Sequence, residues 1–375
     1  MRIAVITETY PPEVNGVALT VQNLVVGMAE DGHDIHLVRP FQPGVSTLPP
    51  SKPIHEVLVR GAALPKYPGL RFGFPAGGKL AQLFTTQRPD AVYVATEGPL
   101  GWSAVRAARR FSIPVATGFH TRFDAYAGAY GLGPLTPLVR YWLRRLHNAS
   151  GATVVPTPEL REWLERHGFQ RVRVVARGVD SLLFDPARRR QKLRDRWGIP
   201  EGGLAVIYLG RIAAEKNLEL AIEAFRKIRE RRADARFVWV GTGPVAARLA
   251  REHPDFVFVG LRLGEDLAEH FASADLFLFP SLTETFGNVT LEAMASGVPT
   301  IAFDYGAARA YLRDREHGRL VALADPAAFI AAAVEVATDT GRRTAMGVAA
   351  RTAVKPLRPE CVARDFVGVL AGLTA

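Results

Sequence analysis

The 375-residue chain has one cysteine, Cys361. It can therefore form neither an internal disulfide nor a cysteine-built metal site, a scarcity that suits a reducing compartment. It also lacks any stretch approaching the roughly 18 apolar residues of a spanning helix. The first apolar run, Ile3-Ala4-Val5-Ile6, is too short for a signal-peptide core, and Glu8 follows it closely. These absences lead us to expect a cytoplasmic protein. No period of 20–50 residues recurs, which argues against a solenoid. Acidic residues are the scarcer charge, 37 Asp/Glu against 47 Lys/Arg, for a net +10 and a pI near 10.0. Such an excess favours anionic partners: nucleic acid, phosphorylated ligands or anionic lipid surfaces.

What is present is the composition of a folded protein, 48% hydrophobic and 22% charged, at a length that predicts two domains. The charge is unevenly spread. Residues 1–190 carry 23 Lys/Arg against 14 Asp/Glu, and the remainder 24 against 23. Short β-branched runs alternate with amphipathic stretches throughout. Strands are expected at Arg2–Thr7, Asp34–Arg39, Ala91–Ala95, Pro114–Thr117, Thr153–Val155 and Arg173–Ala176, then at Ala205–Leu209, Arg236–Val240, Phe256–Val259, Leu276–Phe279 and Pro299–Phe303. In the first half, helices are expected near 17–31, 77–87, 99–111, 134–147 and 157–167. The alternation predicts an α/β fold of two doubly wound, Rossmann-like parallel-sheet domains. Its nearly all-apolar strands agree, because helices cover both faces of such sheets. A Pro/Gly- and charge-rich break at 177–203 marks the boundary. Ligands of open α/β sheets bind beyond the carboxyl ends of the strands, so a cleft between facing domains is expected to hold the site.

Three constellations sit where that rule puts ligands. Glu284 to Gly297 follows the strand Leu276–Phe279 and enters a short helix from about Val289, with Asn288 as a natural N-cap. Gly287 permits close backbone approach, and the helix N-terminus is an anion site. Glu284 in the loop and Glu292 one turn into the helix could bind sugar hydroxyls beside that anion, or be merely solvated. The second, Gly210-Arg211 through Lys216, also follows a strand. Its two cations could converge on a diphosphate, although a solvated first helical turn would look the same. Gly241-Thr242-Gly243-Pro244 superficially matches a dinucleotide fingerprint, but it opens no domain and no acidic residue stands about 20 positions on. A close-packed glycine turn beside a nucleotide fits better. Asn15 and Gly16 would put flexible backbone against a ligand, or form a plain strand-to-helix turn. His120 ends a further strand.

Together these motifs, with Arg177-Gly178-Val179-Asp180 and the Glu-x7-Glu element Glu284…Glu292, closely resemble family-4 retaining glycosyltransferases of the two-Rossmann (GT-B) fold. The likeness runs over essentially the whole chain. The stretch Tyr126–His147 looks most like the members that act on membrane lipids, the mannosyl- and glucosyl-glycolipid synthases. The resemblance implies residues 1–178 plus a C-terminal helix, 358–375, as the acceptor domain and 179–357 as the donor domain. It implies Arg211 and Lys216 neutralising the leaving diphosphate, and Glu284 with the amides of Phe286, Gly287 and Asn288, and Val289 beside them, holding the donor sugar. Glu292 would take the ribose hydroxyls, Gly16 would lie under the diphosphate with Asn15, Gly210, Gly241 and Gly243 also around the donor, and His120 would lie near the sugar. The implied reaction moves a hexose from GDP-mannose or UDP-glucose to a lipid such as diacylglycerol or phosphatidylinositol by front-face displacement. No Asp-x-Asp pair occurs, so the usual carboxylate metal clamp is missing and we expect neither a metal nor another cofactor.

Two segments suggest contact with an anionic membrane, and so peripheral attachment to its inner face. Arg60 to Lys79 contains Lys66 and Arg71, no acidic residue, and Phe72 and Phe74 among its apolar side chains; it reads as a loop. Leu135, Leu138, Val139, Trp142, Leu143 and Leu146 form a helical stripe flanked by Arg140, Arg144 and Arg145, which could equally pack on the sheet. Other readings are a nucleotide-sugar 2-epimerase of the same fold, transfer to a polyprenyl-linked glycan, and a nucleic-acid-binding protein. The last is disfavoured because no nucleic-acid module is recognisable.

Overall fold

The computed structural model describes residues 1–13, 15–42, 53–64, 67–120, 136–282 and 284–374. They form two compact units, Met1–Gly178 with Pro359–Ala375, and Val179–Arg358. Each is built on one parallel sheet.

In the first unit the strands are β1 (Arg2–Ile6), β2 (Asp34–Pro40), β3 (Ile54–Val59), β4 (Gly61–Leu64), β5 (Tyr67–Gly73), β6 (Ala91–Val94), β7 (Val115–Gly118), β8 (Ala152–Val155) and β9 (Val172–Val174). The sheet runs β3-β2-β1-β6-β7-β8-β9, and β4 and β5 pair as an antiparallel hairpin. Chain order reverses between β1 and β6. The loops after those two strands diverge there, and a ligand can enter between them. Helices Gly16–Glu30 and Pro359–Ala371 pack Val21, Val25, Met28, Ala363, Phe366 and Leu370 on one face. On the other face, Gly77–Thr86 and Pro99–Arg110 bury Leu80, Phe84, Ala104 and Val105. With both faces covered, β1 has no solvent side, and Ile3 to Ile6 are fully buried.

The second unit repeats the plan with β10 (Ala205–Leu209), β11 (Arg236–Val240), β12 (Val257–Gly260), β13 (Leu276–Phe279), β14 (Thr300–Phe303) and β15 (Gly318–Val321), in the order β12-β11-β10-β13-β14-β15. Its reversal lies between β10 and β13. One face is covered by helices Leu218–Arg231 and Pro326–Thr338. The other is covered by residues of Gly264–Ala272, Asn288–Ala295 and Thr340–Ala353.

Two differences from the sequence reading are instructive. β3 and β15 were not expected as strands. Both are sheet edges, and the polar residues they carry (His55, Glu56, Arg319) break the apolar signal. The segment from Arg60 to Lys79 is not a loop but the β4–β5 hairpin running into a helix.

Candidate active site

In the second unit the β10 and β13 loops meet at the reversal. Lys216 Nζ donates to Glu284 Oε1 at 2.5 Å, and Ser281 Oγ donates to the same oxygen at 2.8 Å. The two partners stand 68 residues apart in the chain and are both mostly buried. Asn217 Nδ2 donates to the Pro280 carbonyl at 3.3 Å, a second tie between the loops. Arg211 is exposed and reaches Glu215 at 3.4 Å, while its carbonyl accepts from the buried Tyr208 hydroxyl. Burial together with Glu284 and Glu215 pushes that phenol well above its ordinary range.

Gly287 has φ +93° and is the N-cap of the helix Asn288–Ala295, so Asn288 is its first residue and not, as expected, its cap. A left-handed cap favours glycine, and the polar residue shifts one place inward. Helix starts attract anions, and Asn288 and Val289 open this one. Phe286 is buried beneath them and its carbonyl accepts from Ala307 N at 2.7 Å. Glu292, one turn on, is half-buried, and desolvation alone pushes its carboxyl up to about 7. The turn Gly241–Gly243 serves packing. A Cβ at Gly241 would strike the Gly210 carbonyl and one at Gly243 the Ile212 carbonyl, and Ile212 N donates to Thr242 O at 3.0 Å. These glycines bring the loops after β10 and β11 together. Sequence reasoning missed Ser281, and Tyr305, whose hydroxyl donates to the Glu284 carbonyl. The only cue to Tyr305 was its place beyond a strand.

In the first unit Asn15 turns out to be an N-cap. Its Oδ1 accepts from Val17 N (3.1 Å) and Ala18 N (2.8 Å), and its Nδ2 donates to Thr9 Oγ1. Gly16 opens the helix Gly16–Glu30. Thr9 in turn donates to the buried Glu13, which also accepts from Gln42 and from the Arg71 amide. Val14 lies outside the described residues.

His120 is buried at the end of β7, where Gly118 leaves room for it: a Cβ there would collide with the Tyr93 hydroxyl and the His120 ring. Arg177 Nη2 donates to His120 Nδ1 at 3.4 Å. A guanidinium cannot accept, so Nδ1 carries no proton. The ring proton is therefore on Nε2, which donates to Tyr93 Oη at 2.6 Å. Burial, then Arg177 and His147, hold this imidazole well below its ordinary pKa. His120 is thus a neutral, fixed group at neutral pH. Beside it His147 and Glu97 approach to 3.6 Å, and neither was anticipated.

Of the basic segments, Lys66 lies outside the described residues, as does Leu135. Arg71 is tied inward, since its Nη2 donates to the Gly61 carbonyl at 3.1 Å. Phe72 and Phe74 meet edge to face, with Phe74 exposed. The helix Thr136–Asn148 divides its stripe. Leu143 and Leu146 are buried, whereas Leu138 is 64% and Trp142 51% exposed. Arg140 lies over the Trp163 ring at 5.5 Å. Arg144 and Arg145 flank Tyr141, Arg145 donating to its hydroxyl at 3.4 Å. No described helix is long and apolar enough to cross a membrane.

Two doubly wound α/β units, one carrying a Lys–Glu pair and a glycine-capped helix at its reversal, define the class of two-domain GT-B transferases. Sequence comparison is specific. A model of "Glycosyltransferase Family 4" matches residues 14–181, and one of "Glycosyl transferases group 1" matches 203–339. A GDP-mannose-dependent alpha-mannosyltransferase of Mycolicibacterium smegmatis is 33% identical over 98% of this chain and 96% of its own. An alpha-monoglucosyldiacylglycerol synthase of Streptococcus pneumoniae is 27% identical over 80% and 71%. Among solved structures, sucrose-phosphate synthase from Thermosynechococcus elongatus superposes with a TM-score of 0.80 at 20% identity, covering 99% and 98%. The chain belongs to the family-4 glycosyltransferases and is a hexosyltransferase.

Proposed function

We propose that this enzyme transfers mannose from GDP-mannose to the hydroxyl of a membrane lipid, with retention of the α configuration and without a metal ion. The observation that carries this reading is the Lys216–Glu284 pair beside the Gly287-capped helix. It sets a cation, a carboxylate and helix amides within one loop cluster, the set that a sugar diphosphate requires. Lys216, held in place by Glu284, sets its ammonium in that cluster as a cation for the phosphates. Arg211, exposed beside it, adds a second cation where negative charge grows as the glycosidic bond breaks. Glu284 accepts sugar hydroxyls and Glu292 those of the ribose, with Phe286, Asn288 and Val289 presenting backbone to the donor.

His120, neutral with both ring nitrogens engaged, is no proton shuttle, and front-face displacement needs no carboxylate nucleophile. The departing phosphate oxygen therefore takes the acceptor proton while the new C–O bond forms on the same face. The curated relatives named above support mannose from GDP and a glycerolipid class of acceptor. The exposed Leu138 and Trp142 with Arg144 and Arg145 support docking on an anionic leaflet; Phe74 and Arg71 belong to a hairpin whose arginine is already engaged, and contribute less.

Melting curves with GDP-mannose and UDP-glucose test the donor, GDP-mannose being expected to give the larger shift. Transfer to lipid vesicles is expected to persist in EDTA; activity lost there and restored by magnesium or manganese would overturn metal independence. Sugar release or isomerisation without an acceptor would favour the epimerase instead.

A further inference from the structure

The second unit is also open at the amino ends of its strands, away from the cluster described above. A cavity of about 780 Å³ opens beside Gly203, Asp275 and Pro299, the residues that lead into β10, β13 and β14. The Lys216–Glu284 cluster follows the carboxyl ends of β10 and β13, so the two sites are separated by the length of the strands. The volume is that of a small-molecule pocket.

Five cations line it, Arg189, Arg194, Arg343, Arg351 and Lys355, with Asp275 as the single lining carboxylate. Asp275 is already shared: it accepts from Arg189 at 2.7 Å, from Arg194 at 2.9 Å and from the Ala205 amide at 2.7 Å. Arg351 pairs with Asp185, behind the wall. Two cations have no carboxylate within ion-pair distance among the described residues. Lys355 is exposed at the rim. Arg343 is buried, and its guanidinium reaches only neutral groups, the carbonyls of Val336 and Ala337 and the Thr340 hydroxyl. Burial without an ion-paired counter-charge is costly for a guanidinium, and Arg343 is held below its ordinary pKa by that burial, which Asp275 and Asp339 partly offset and Arg232 and Arg189 add to.

We infer that this cavity is a binding site for a phosphorylated small molecule, distinct from the donor site and beyond the transferase reaction itself. A phosphate offers several acceptor oxygens to the fork of Arg343 and the ammonium of Lys355, and the exposed Thr344 stands at the same wall, its hydroxyl donating to the Thr340 carbonyl at 3.0 Å. Such a ligand would sit at the far end of the helix Asn288–Ala295 from Gly287. Arg351 spans the gap, donating to the Ala295 carbonyl at 2.8 Å.

The test uses the full-length protein and inorganic pyrophosphate, with chloride at matched ionic strength as the control. Pyrophosphate is expected to raise the melting temperature and to protect amides of Thr340–Ala353 from hydrogen exchange. Lys355→Glu, an exposed substitution, is expected to melt normally in chloride while losing at least half of the pyrophosphate shift and the protection. Thr344→Asp, also exposed, is the second variant, with the same expectation. No shift above chloride, protection confined to Gly210–Asn217 and Asn288–Ala295, or a full response in both variants would overturn the inference. Protection of both regions keeps it, because the donor cluster answers separately, and failure of GDP-mannose to bind leaves the outcome at Thr340–Ala353 readable.

Discussion

Glu292, proposed above to take the ribose hydroxyls, stands at a cost to stability. Its carboxyl is pushed up to about 7 by desolvation with nothing to offset it. An acid whose folded pKa lies above its unfolded value opposes folding increasingly as pH rises from about 4.5 to 7, and fully above that. Discounted for partial exposure, the penalty is of the order of 2 kcal/mol. Glu292→Gln is therefore expected to stabilise the protein at pH 8 and to change little at pH 4.5, while weakening donor binding; urea unfolding at the two pH values checks it. An equal effect at both would show that the carboxyl is solvated. His120 has the opposite sign. Its pKa lies below the unfolded value, so its contribution is intact above about pH 6.5 and falls away as the solution becomes more acidic. Tyr93→Phe removes the hydroxyl that fixes the ring. We expect it to lower kcat at least several-fold with no new ionisation in the rate profile between pH 6 and 8, whereas an acid–base role for His120 would displace such an ionisation.

At the scale of elements, the site depends on loops held against one another. Gly243→Ala would drive a methyl into the Ile212 carbonyl, and two backbones cannot yield as a flexible side chain can. A loss of about 3 kcal/mol is expected, read as a lower melting temperature together with weaker nucleotide binding. The helix Thr136–Asn148 behaves differently. Leu143 and Leu146 secure it to the sheet, so its outer face can change freely. Leu138→Glu is expected to leave the melting temperature unaltered and to cut co-sedimentation with anionic vesicles several-fold; unchanged sedimentation would remove this helix from any membrane role. The stripe at i, i+3, i+4 spacing was legible in the sequence, but its division was not. Periodicity identifies an apolar side of a helix, and only the neighbours decide how far round that side is covered. The same limit explains Asn288. A polar residue before a helical run marks a helix start to within a residue, and the left-handed turn at Gly287 takes the cap position itself.

At the scale of the whole molecule, the chain returns to its first unit. The helix Pro359–Ala371 packs on Gly16–Glu30, and Phe366 is fully buried with its ring 4.6 Å from that of Tyr93. Phe366→Ala is expected to cost roughly 3–5 kcal/mol and also to lower activity, since Tyr93 holds His120; denaturant unfolding and initial rates would show the two effects together. Charge also looks different by unit. The first holds 21 Lys/Arg against 14 Asp/Glu and the second 26 against 23. Arg188, Arg189 and Arg190 belong to the second unit and are paired there with Glu265, Asp275 and Glu269.

The sequence by itself determined the two α/β units, the central strands and the helices of the first unit, because apolar runs with both faces covered and helical stripes are written in local order. It also singled out the loops after β10 and β13, which follow strands and which the structure brings together through Lys216 and Glu284. Only the tertiary structure decided that Lys216 meets Glu284 across 68 residues, that His120 is locked by Tyr93 and Arg177, and that Asp275 must serve two arginines. Those contacts depend on strand order, and strand order follows from how helices pack on both faces of a sheet, which no local pattern records.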